Sequence, residues 1–113
     1  MNTLPSNYSL SLQTTSPALR ASATFPKEFP GFHGHFPGNP LLPGFMHIQL
    51  ALDILAAANL PHTLKEIPTA RFTRPIPPET EIQITLSPTT PNTYEATLNQ
   101  NDDALSTFTL TIE

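Results

Sequence analysis

The 113-residue chain contains no cysteine and few charged residues. Without cysteine it has no disulfides, no thiol nucleophile and no thiolate zinc site. Charged residues make up 12% of the chain, which is about half the share usual in globular domains. Five Lys and Arg against nine Asp and Glu give a net charge of −4. Because nucleic-acid-binding domains are normally basic, this balance disfavours nucleic-acid binding.

Long hydrophobic runs are also absent. The longest apolar segment is interrupted by His47, Gln49 and Asp53 and is too short to span a bilayer. Residues 1–6 show neither the basic nor the apolar region of a signal peptide. We therefore expect a cytoplasmic protein without a membrane span. The length predicts that residues 1–113 form a single domain, and fourteen prolines against four glycines disfavour collagen and long uninterrupted helices.

The pattern of apolar residues predicts one buried helix and several strands. Residues 45–58 are rich in Leu and Ala and apolar on nearly every side, which is typical of a helix buried in a core. Period-two alternation and β-branched residues predict strands over residues 8–13, 18–25, 62–74, 82–86, 94–98 and 104–112, the last three in an antiparallel meander. This order favours an α+β fold in which a curved antiparallel sheet wraps one long central helix, with a face or edge left for a partner subunit.

The segment that carries the most chemistry is residues 34–44, a stiff loop of Pro and Gly that leads into the predicted helix. Gly44 opens that helix, so its N–H is an unpaired donor at the positive end of the helix dipole and suits a carbonyl that develops negative charge. His35 titrates near neutral pH and can move a proton in either direction. Together they suit removal of a proton next to a carbonyl. The spacing alone favours a simpler interpretation, a packed loop histidine beside a helix start.

Two motifs resemble those of a known enzyme family. Residues 35–44 contain every fixed position of the pattern His-Phe-Pro-Gly-x-Pro-x-x-Pro-Gly, the active-site motif of the hotdog-fold 3-hydroxyacyl-[acyl-carrier-protein] dehydratases. Residues 70–78 resemble the Ala-Arg-Phe-x-Arg-Pro-Val-x-Pro strand of that family. The resemblance implies a hotdog fold, one helix wrapped by a sheet, in a dimer whose two sheets are continuous. Each active site would then lie at the subunit interface.

The resemblance also implies a reaction, the reversible loss of water from a 3-hydroxyacyl thioester to give a trans-2-enoyl thioester. The substrate would be carried on the phosphopantetheine of acyl carrier protein, with no metal or redox cofactor. His35 would take the α proton, and the Gly44 N–H would hold the thioester carbonyl. Four further residues would line or shape the acyl tunnel, with plain core packing as the alternative for the aromatic ones: Phe36, Pro43, Phe45 and Phe72.

The chain departs from the family on the helix. Gln49 stands where the family has a carboxylate, and Asp53, one turn later, stands where relatives usually have Gln. An amide does not exchange a proton usefully at neutral pH. Three interpretations follow, in order of preference: His35 works nearly alone while Gln49 positions the leaving hydroxyl, catalysis is lost, or Asp53 reaches in as the acid. Asp53 is expected to be a hydrogen-bonded helix carboxylate.

The predicted function is therefore dehydration in fatty acid or polyene-type biosynthesis, by a homodimer or a heterodimer with a homologous dehydratase. In its small size and in having Gln49 instead of a carboxylate on the helix, the chain resembles the dehydratases of aryl polyene pigment pathways. One alternative is a non-catalytic hotdog subunit that pairs with an active homologue. Another is a hotdog acyl thioesterase, which Gln49 disfavours because that reaction would use a helix carboxylate to direct water.

Basic residues cluster in one part of this acidic chain. Because acyl carrier proteins are acidic, three cations are candidate docking charges, although a solvated strand with a few basic residues explains them equally well: Lys65, Arg71 and Arg74. His33 and His35 have a spacing that could suggest metal ligands, but no carboxylate or third histidine follows at ligand spacing. We expect no metal site.

Overall fold

The structure is a computed structural model that describes residues 8–27, 44–90 and 92–113. These residues form one helix and six strands: β1 (Ser9–Thr14), β2 (Leu19–Thr24), α1 (Gly44–Ala57), β3 (Leu64–Phe72), β4 (Ile82–Thr90), β5 (Thr93–Gln100) and β6 (Asp103–Ile112). Every predicted element is present, and β4 runs further than predicted, to Thr90. Within the same three ranges, no helix combines the length and the apolar character needed to cross a membrane.

All six strands belong to one antiparallel sheet with the order β1-β2-β4-β5-β6-β3. The meander of β4, β5 and β6 confirms the prediction for the last three strands. Its two turns contain Asn92 (φ 70°) and Asn101 (φ 54°) in the left-handed region, which asparagine tolerates better than most residues.

One core joins α1 to the inner face of the sheet. Leu50, Ala51 and Leu55 of α1 have no exposed surface, and alternate strand residues such as Ile84 and Leu98 are equally buried. Burying a Leu or Ile side chain contributes roughly 1.5–3 kcal/mol, so these residues hold the helix against the sheet. The arrangement confirms the predicted α+β hotdog fold.

β3 is an edge strand and the most exposed strand of the sheet. It pairs with β6 on one side only, and all its residues except Leu64 and Ile67 are exposed. Its register with β6 shifts on both sides of Glu66. An edge strand presents unpaired backbone groups that can pair with another chain. β1 forms the opposite edge.

Candidate functional site

The start of α1 lies close against the end of β3. Gly44 is the first residue of α1, so its N–H belongs to the turn whose N–H groups have no partner within the helix. A Cβ placed on Gly44 would lie 3.4 Å from two carbon atoms of the Phe72 ring. A Cβ at this position would make ordinary van der Waals contact with the ring, whereas a large side chain would have to displace it. The structure thus brings two of the predicted site residues together.

Phe45, which follows Gly44, and Phe72, which approaches Gly44, are both exposed aromatic residues. Phe45 is 64% exposed and Phe72 is 44% exposed, so plain core packing does not account for either ring within the single chain. The Phe72 ring meets His47 edge-on, with 5.1 Å between ring centroids, and lies 6.3 Å from the ring of Phe108. These contacts hold Phe72 in place while leaving part of its surface uncovered.

His47 is buried behind Phe72 and is hydrogen bonded to the sheet. Its Nδ1 lies 2.7 Å from the hydroxyl oxygen of Ser106 on β6, and both residues are only 1% exposed. Burial lowers the pKa of His47 to about 4, so the imidazole is neutral at neutral pH. A neutral ring without access to solvent packs the helix against β6 and does not exchange protons with a substrate.

Gln49 and Asp53 lie on one face of α1 and share a hydrogen-bond network with Tyr8. The Gln49 Nε2 donates to Asp53 Oδ1 at 3.0 Å, and the Tyr8 hydroxyl donates to Asp53 Oδ2 at 2.6 Å. Tyr8 is 8% exposed, and its ring stacks on Phe25 with 4.4 Å between centroids. Burial, together with the hydrogen bond and the charge of Asp53, raises the pKa of Tyr8 well above its usual value. Asp53 is therefore the hydrogen-bonded helix carboxylate that was expected.

Sequence reasoning identified Gln49 and Asp53 but missed Tyr8. Tyr8 begins the alternating pattern that predicts the first strand, on the same face as Leu10 and Leu12. A tyrosine directed inward usually finds a hydrogen-bond partner for its hydroxyl. That rule could have marked Tyr8 as bonded to a buried polar group, although nothing in the sequence pointed to Asp53.

The two clusters lie on different sides of the helix. Gln49 follows Gly44 by five residues, which corresponds to roughly 140° around an α-helix. The pair Gly44 and Phe72 is therefore separated from the network of Gln49, Asp53 and Tyr8 within one chain.

The three candidate docking cations are all exposed, on β3 or just after it: Lys65, Arg71 and Arg74. Arg74 Nη1 lies 3.5 Å from Asp103 Oδ2, with both side chains more than half exposed. An exposed pair of this kind contributes at most about 1 kcal/mol. The nearby carboxylate offsets part of the positive charge of Arg74, which leaves Lys65 and Arg71 as the stronger candidates for docking.

Three of the predicted site residues lie outside the described residues: His35, Phe36 and Pro43. A depression of about 520 Å³ over β3, β4, β5 and β6 is lined by four threonines among other residues, which include Arg71 and Glu95. It is polar and includes neither Gly44 nor Gln49, so it is not the candidate site. In the part of the chain that the structure describes, no three His, Asp or Glu side chains are grouped as metal ligands would be.

Comparison with protein families gives one match that spans most of the chain. The model of the ApeI-like family, described as ApeI dehydratase, matches residues 11–108. The matched region includes residues 35–44, which carry the His-Phe-Pro-Gly motif, and the whole of α1.

Comparison with solved structures finds the same fold in several enzymes. The dehydratase heterocomplex ApeI:P from Xenorhabdus doucetiae superposes with a TM-score of 0.72 at 19% identity, over 84% of this chain and 86% of that one. The pyran synthase domain from module nine of the sorangicin pathway superposes with a TM-score of 0.76 at 16% identity, over 98% of this chain and 40% of that one. A mutant thioesterase from Pseudomonas aeruginosa superposes with a TM-score of 0.56 at 16% identity, over 91% of this chain and 80% of that one.

Proposed function

The chain belongs to the ApeI-like dehydratase family, and on that premise we propose that it removes water from 3-hydroxyacyl thioesters carried on acyl carrier protein. The product is a trans-2-enoyl thioester. The observation that carries this proposal is the family match over residues 11–108, which contains the complete motif of residues 35–44. The start of the buried helix at Gly44 supports it, because a helix N-terminal N–H suits a carbonyl oxygen that gains negative charge.

The proposed reaction begins at the carbon next to the thioester carbonyl. The imidazole of His35 takes a proton from this carbon, and the Gly44 N–H stabilises the negative charge that develops on the carbonyl oxygen. The electron pair then forms the carbon–carbon double bond as the bond to the 3-hydroxyl oxygen breaks. The proton on His35 leaves with the hydroxyl as water. Because these steps are proton transfer and elimination, the reaction requires neither an oxidant nor a reductant.

We propose that two subunits combine to form the working site. The family resemblance implies an active site at a subunit interface, and the Gly44–Phe72 contact and the Gln49 network lie on different sides of α1. β3 is an exposed edge strand that ends at Phe72, and Phe45 lies exposed nearby. Pairing of β3 with a partner strand would satisfy its backbone and cover these rings. The partner would be a second copy or a homologous dehydratase, and the similar structure from Xenorhabdus doucetiae is itself a dehydratase heterocomplex.

The replacement of the usual carboxylate by Gln49 favours a substrate that loses water easily. Loss of a 3-hydroxyl that extends a conjugated polyene has a lower intrinsic barrier, which fits a place in aryl polyene or related polyene biosynthesis. Lys65 and Arg71 are exposed and would attract an acidic carrier protein electrostatically.

A product assay tests the proposal. The purified protein, alone and with a homologous dehydratase, is incubated with 3-hydroxyacyl thioesters on carrier protein, and the products are identified by mass spectrometry. Formation of the enoyl thioester by the protein alone supports the proposal. No loss of water in any combination contradicts it, and release of the free carrier thiol would identify a thioesterase.

A non-catalytic subunit is the second candidate, because Gln49 cannot act as the acid that the family usually has at this position. In that case the chain alone would leave the substrate unchanged. Water would be lost only in a complex with the homologue, and His35→Ala in this chain would not alter the rate of that complex.

A further inference from the structure

We propose that Tyr8 is a positioning residue that acts through Asp53 to hold the Gln49 amide with its oxygen free to bind the 3-hydroxyl of the substrate. This inference rests on the proposed dehydratase function. The residues that carry it come from two separate elements, since Tyr8 immediately precedes β1 while Gln49 and Asp53 belong to α1. They form one continuous chain of two hydrogen bonds.

The chemistry of Asp53 determines which way the Gln49 amide faces. An ionised carboxylate accepts hydrogen bonds and donates none. The group of Gln49 that lies 3.0 Å from Asp53 Oδ1 is therefore the NH₂ group. The carbonyl oxygen of the same amide is on the other side of the group and is directed away from Asp53. Gln49 thus offers an acceptor to a substrate.

Tyr8 gives this chain of hydrogen bonds a fixed end. Its ring is buried and stacked on Phe25 at an interplanar angle of 15°, so the hydroxyl cannot follow a moving surface side chain. The Tyr8 hydroxyl donates to one oxygen of Asp53, and the other oxygen accepts a hydrogen bond from Gln49, whose side chain is otherwise exposed. Ordering a flexible glutamine before the substrate binds lowers the entropy cost of reaching the transition state.

The same contacts define the role of Asp53. Each of its oxygens already accepts a hydrogen bond, from Tyr8 and from Gln49. This favours Asp53 as a support for Gln49 over Asp53 as an acid that reaches the substrate. The Gln49 oxygen accepts the hydrogen of the 3-hydroxyl, which leaves the lone pairs of the hydroxyl oxygen available to the proton delivered by His35.

The test removes only the hydroxyl of Tyr8. Tyr8→Phe keeps the ring against Phe25, and we expect kcat for enoyl formation to fall about ten- to a hundred-fold, with a smaller change in KM, because the hydroxyl of the substrate is less well oriented. Tyr94→Phe, in the other tyrosine of the chain, is the matched control and should leave kcat unchanged. In a Gln49→Ala background, Tyr8→Phe should cause no further loss, since its effect passes through Gln49.

The side-chain amide signal of Gln49 in ¹⁵N–¹H NMR spectra gives a readout that does not depend on turnover. We expect Tyr8→Phe to shift this signal and Tyr94→Phe to leave it in place. A Tyr8→Phe variant with wild-type kcat would overturn the positioning role and leave the dehydratase function standing. An equal loss in the Gln49→Ala background would also overturn it, because Tyr8 would then act on the fold alone. If the wild-type protein forms no enoyl product, the proposed function fails first and the positioning role fails with it.

Discussion

Among single residues, His35 is the general base and the general acid of the proposed reaction, because it both takes and returns a proton. Gly44 contributes a backbone N–H and Gln49 contributes an amide, and neither exchanges a proton at neutral pH. The imidazole therefore supplies the acid–base chemistry, while the other two groups stabilise charge and orient the substrate. Substitutions at these positions should differ in severity for that reason.

Replacement of His35 by Ala should abolish most turnover. A single positioned acid–base group is worth roughly 100- to 10,000-fold in rate, and no neighbouring group in the proposed site takes over both proton transfers. The rate of enoyl formation by purified variants checks this. His62→Ala, which alters an exposed loop histidine, is the control and should keep the wild-type rate. Full activity of His35→Ala would show that the proposed mechanism is wrong.

Burial of His47 should make the stability of the fold depend on pH. An unfolded histidine has a pKa of about 6.5, whereas burial lowers the pKa of His47 to about 4 in the folded chain. Between these values the unfolded state binds more protons, so stability is lost as the pH falls. For one group with these two pKa values, the loss between neutral pH and pH 5 is about 2 kcal/mol.

Urea unfolding at neutral pH and near pH 5 measures this effect. The pH-dependent loss should be smaller by about this amount in His47→Gln, and it should persist in His62→Gln, which changes an exposed ring. Equal pH dependence in wild type and His47→Gln would mean that the imidazole is not kept neutral by burial.

At the level of elements, α1 carries the main difference from the pattern that the family resemblance implies. The amide of Gln49 and the carboxylate of Asp53 have exchanged places along one helical face, and they contact each other at 3.0 Å. Because residues four apart on a helix are neighbours, neither position can be changed without affecting the other. The pair behaves as one unit that Tyr8 anchors to the sheet.

Restoring the family's usual arrangement, a carboxylate at position 49 and an amide at position 53, should require substitution of both Gln49 and Asp53. Gln49→Glu alone places a carboxylate against Asp53, and the repulsion should raise the pKa of one of them and disturb the network. We expect this variant to be less active at neutral pH than Gln49→Glu combined with Asp53→Gln, which leaves a single carboxylate in the pair. The ratio kcat/KM across pH distinguishes them.

Gln13→Glu adds the same charge at the opposite end of β1 and is the control for a general charge effect. It should leave kcat/KM unchanged. Equal activity of the single and the double α1 variants would mean that Gln49 and Asp53 are not coupled.

For the whole molecule, the proposed pairing of subunits at the exposed β3 edge connects the fold with the proposed function. The core is closed on the inner face of the sheet, yet β3, Phe45 and Phe72 remain exposed at one end. Apolar rings beside a strand with one free edge are typical of a surface that a subunit interface covers. The same surface borders Gly44, so assembly and catalysis should be lost together.

A charge at this edge should disrupt both properties. Ala70→Lys introduces a cation on exposed β3, where it would lie beside the side chains of a partner strand, and we expect a shift towards monomer in light scattering with a parallel loss of enoyl formation. Ser11→Lys places the same charge on β1, the opposite edge, and should change neither. An Ala70→Lys variant that keeps the wild-type mass would contradict pairing through β3.

Much of this molecule follows from local patterns of residues. Alternation of apolar residues predicted the first strand and the final meander, and the Leu- and Ala-rich segment predicted α1, because periodicity reports which face of an element is buried. The motif of residues 35–44 pointed to dehydration through its resemblance to the hotdog-fold dehydratases, since the spacing of His35 and Gly44 alone favoured a packed loop histidine. The spacing of Gln49 and Asp53 likewise predicted a shared face of α1.

Only the tertiary structure determined the contacts between residues that are distant along the chain. Tyr8 bonds to Asp53 across 45 positions, and His47 bonds to Ser106 across 59. Periodicity shows that a side chain points inward but not which partner it meets, since that depends on the order of the strands and on the site where the helix crosses them. The position of β3 at the edge beside β6 was likewise decided only by the tertiary structure. The residue pattern of a single strand fits a central strand as well as an edge strand.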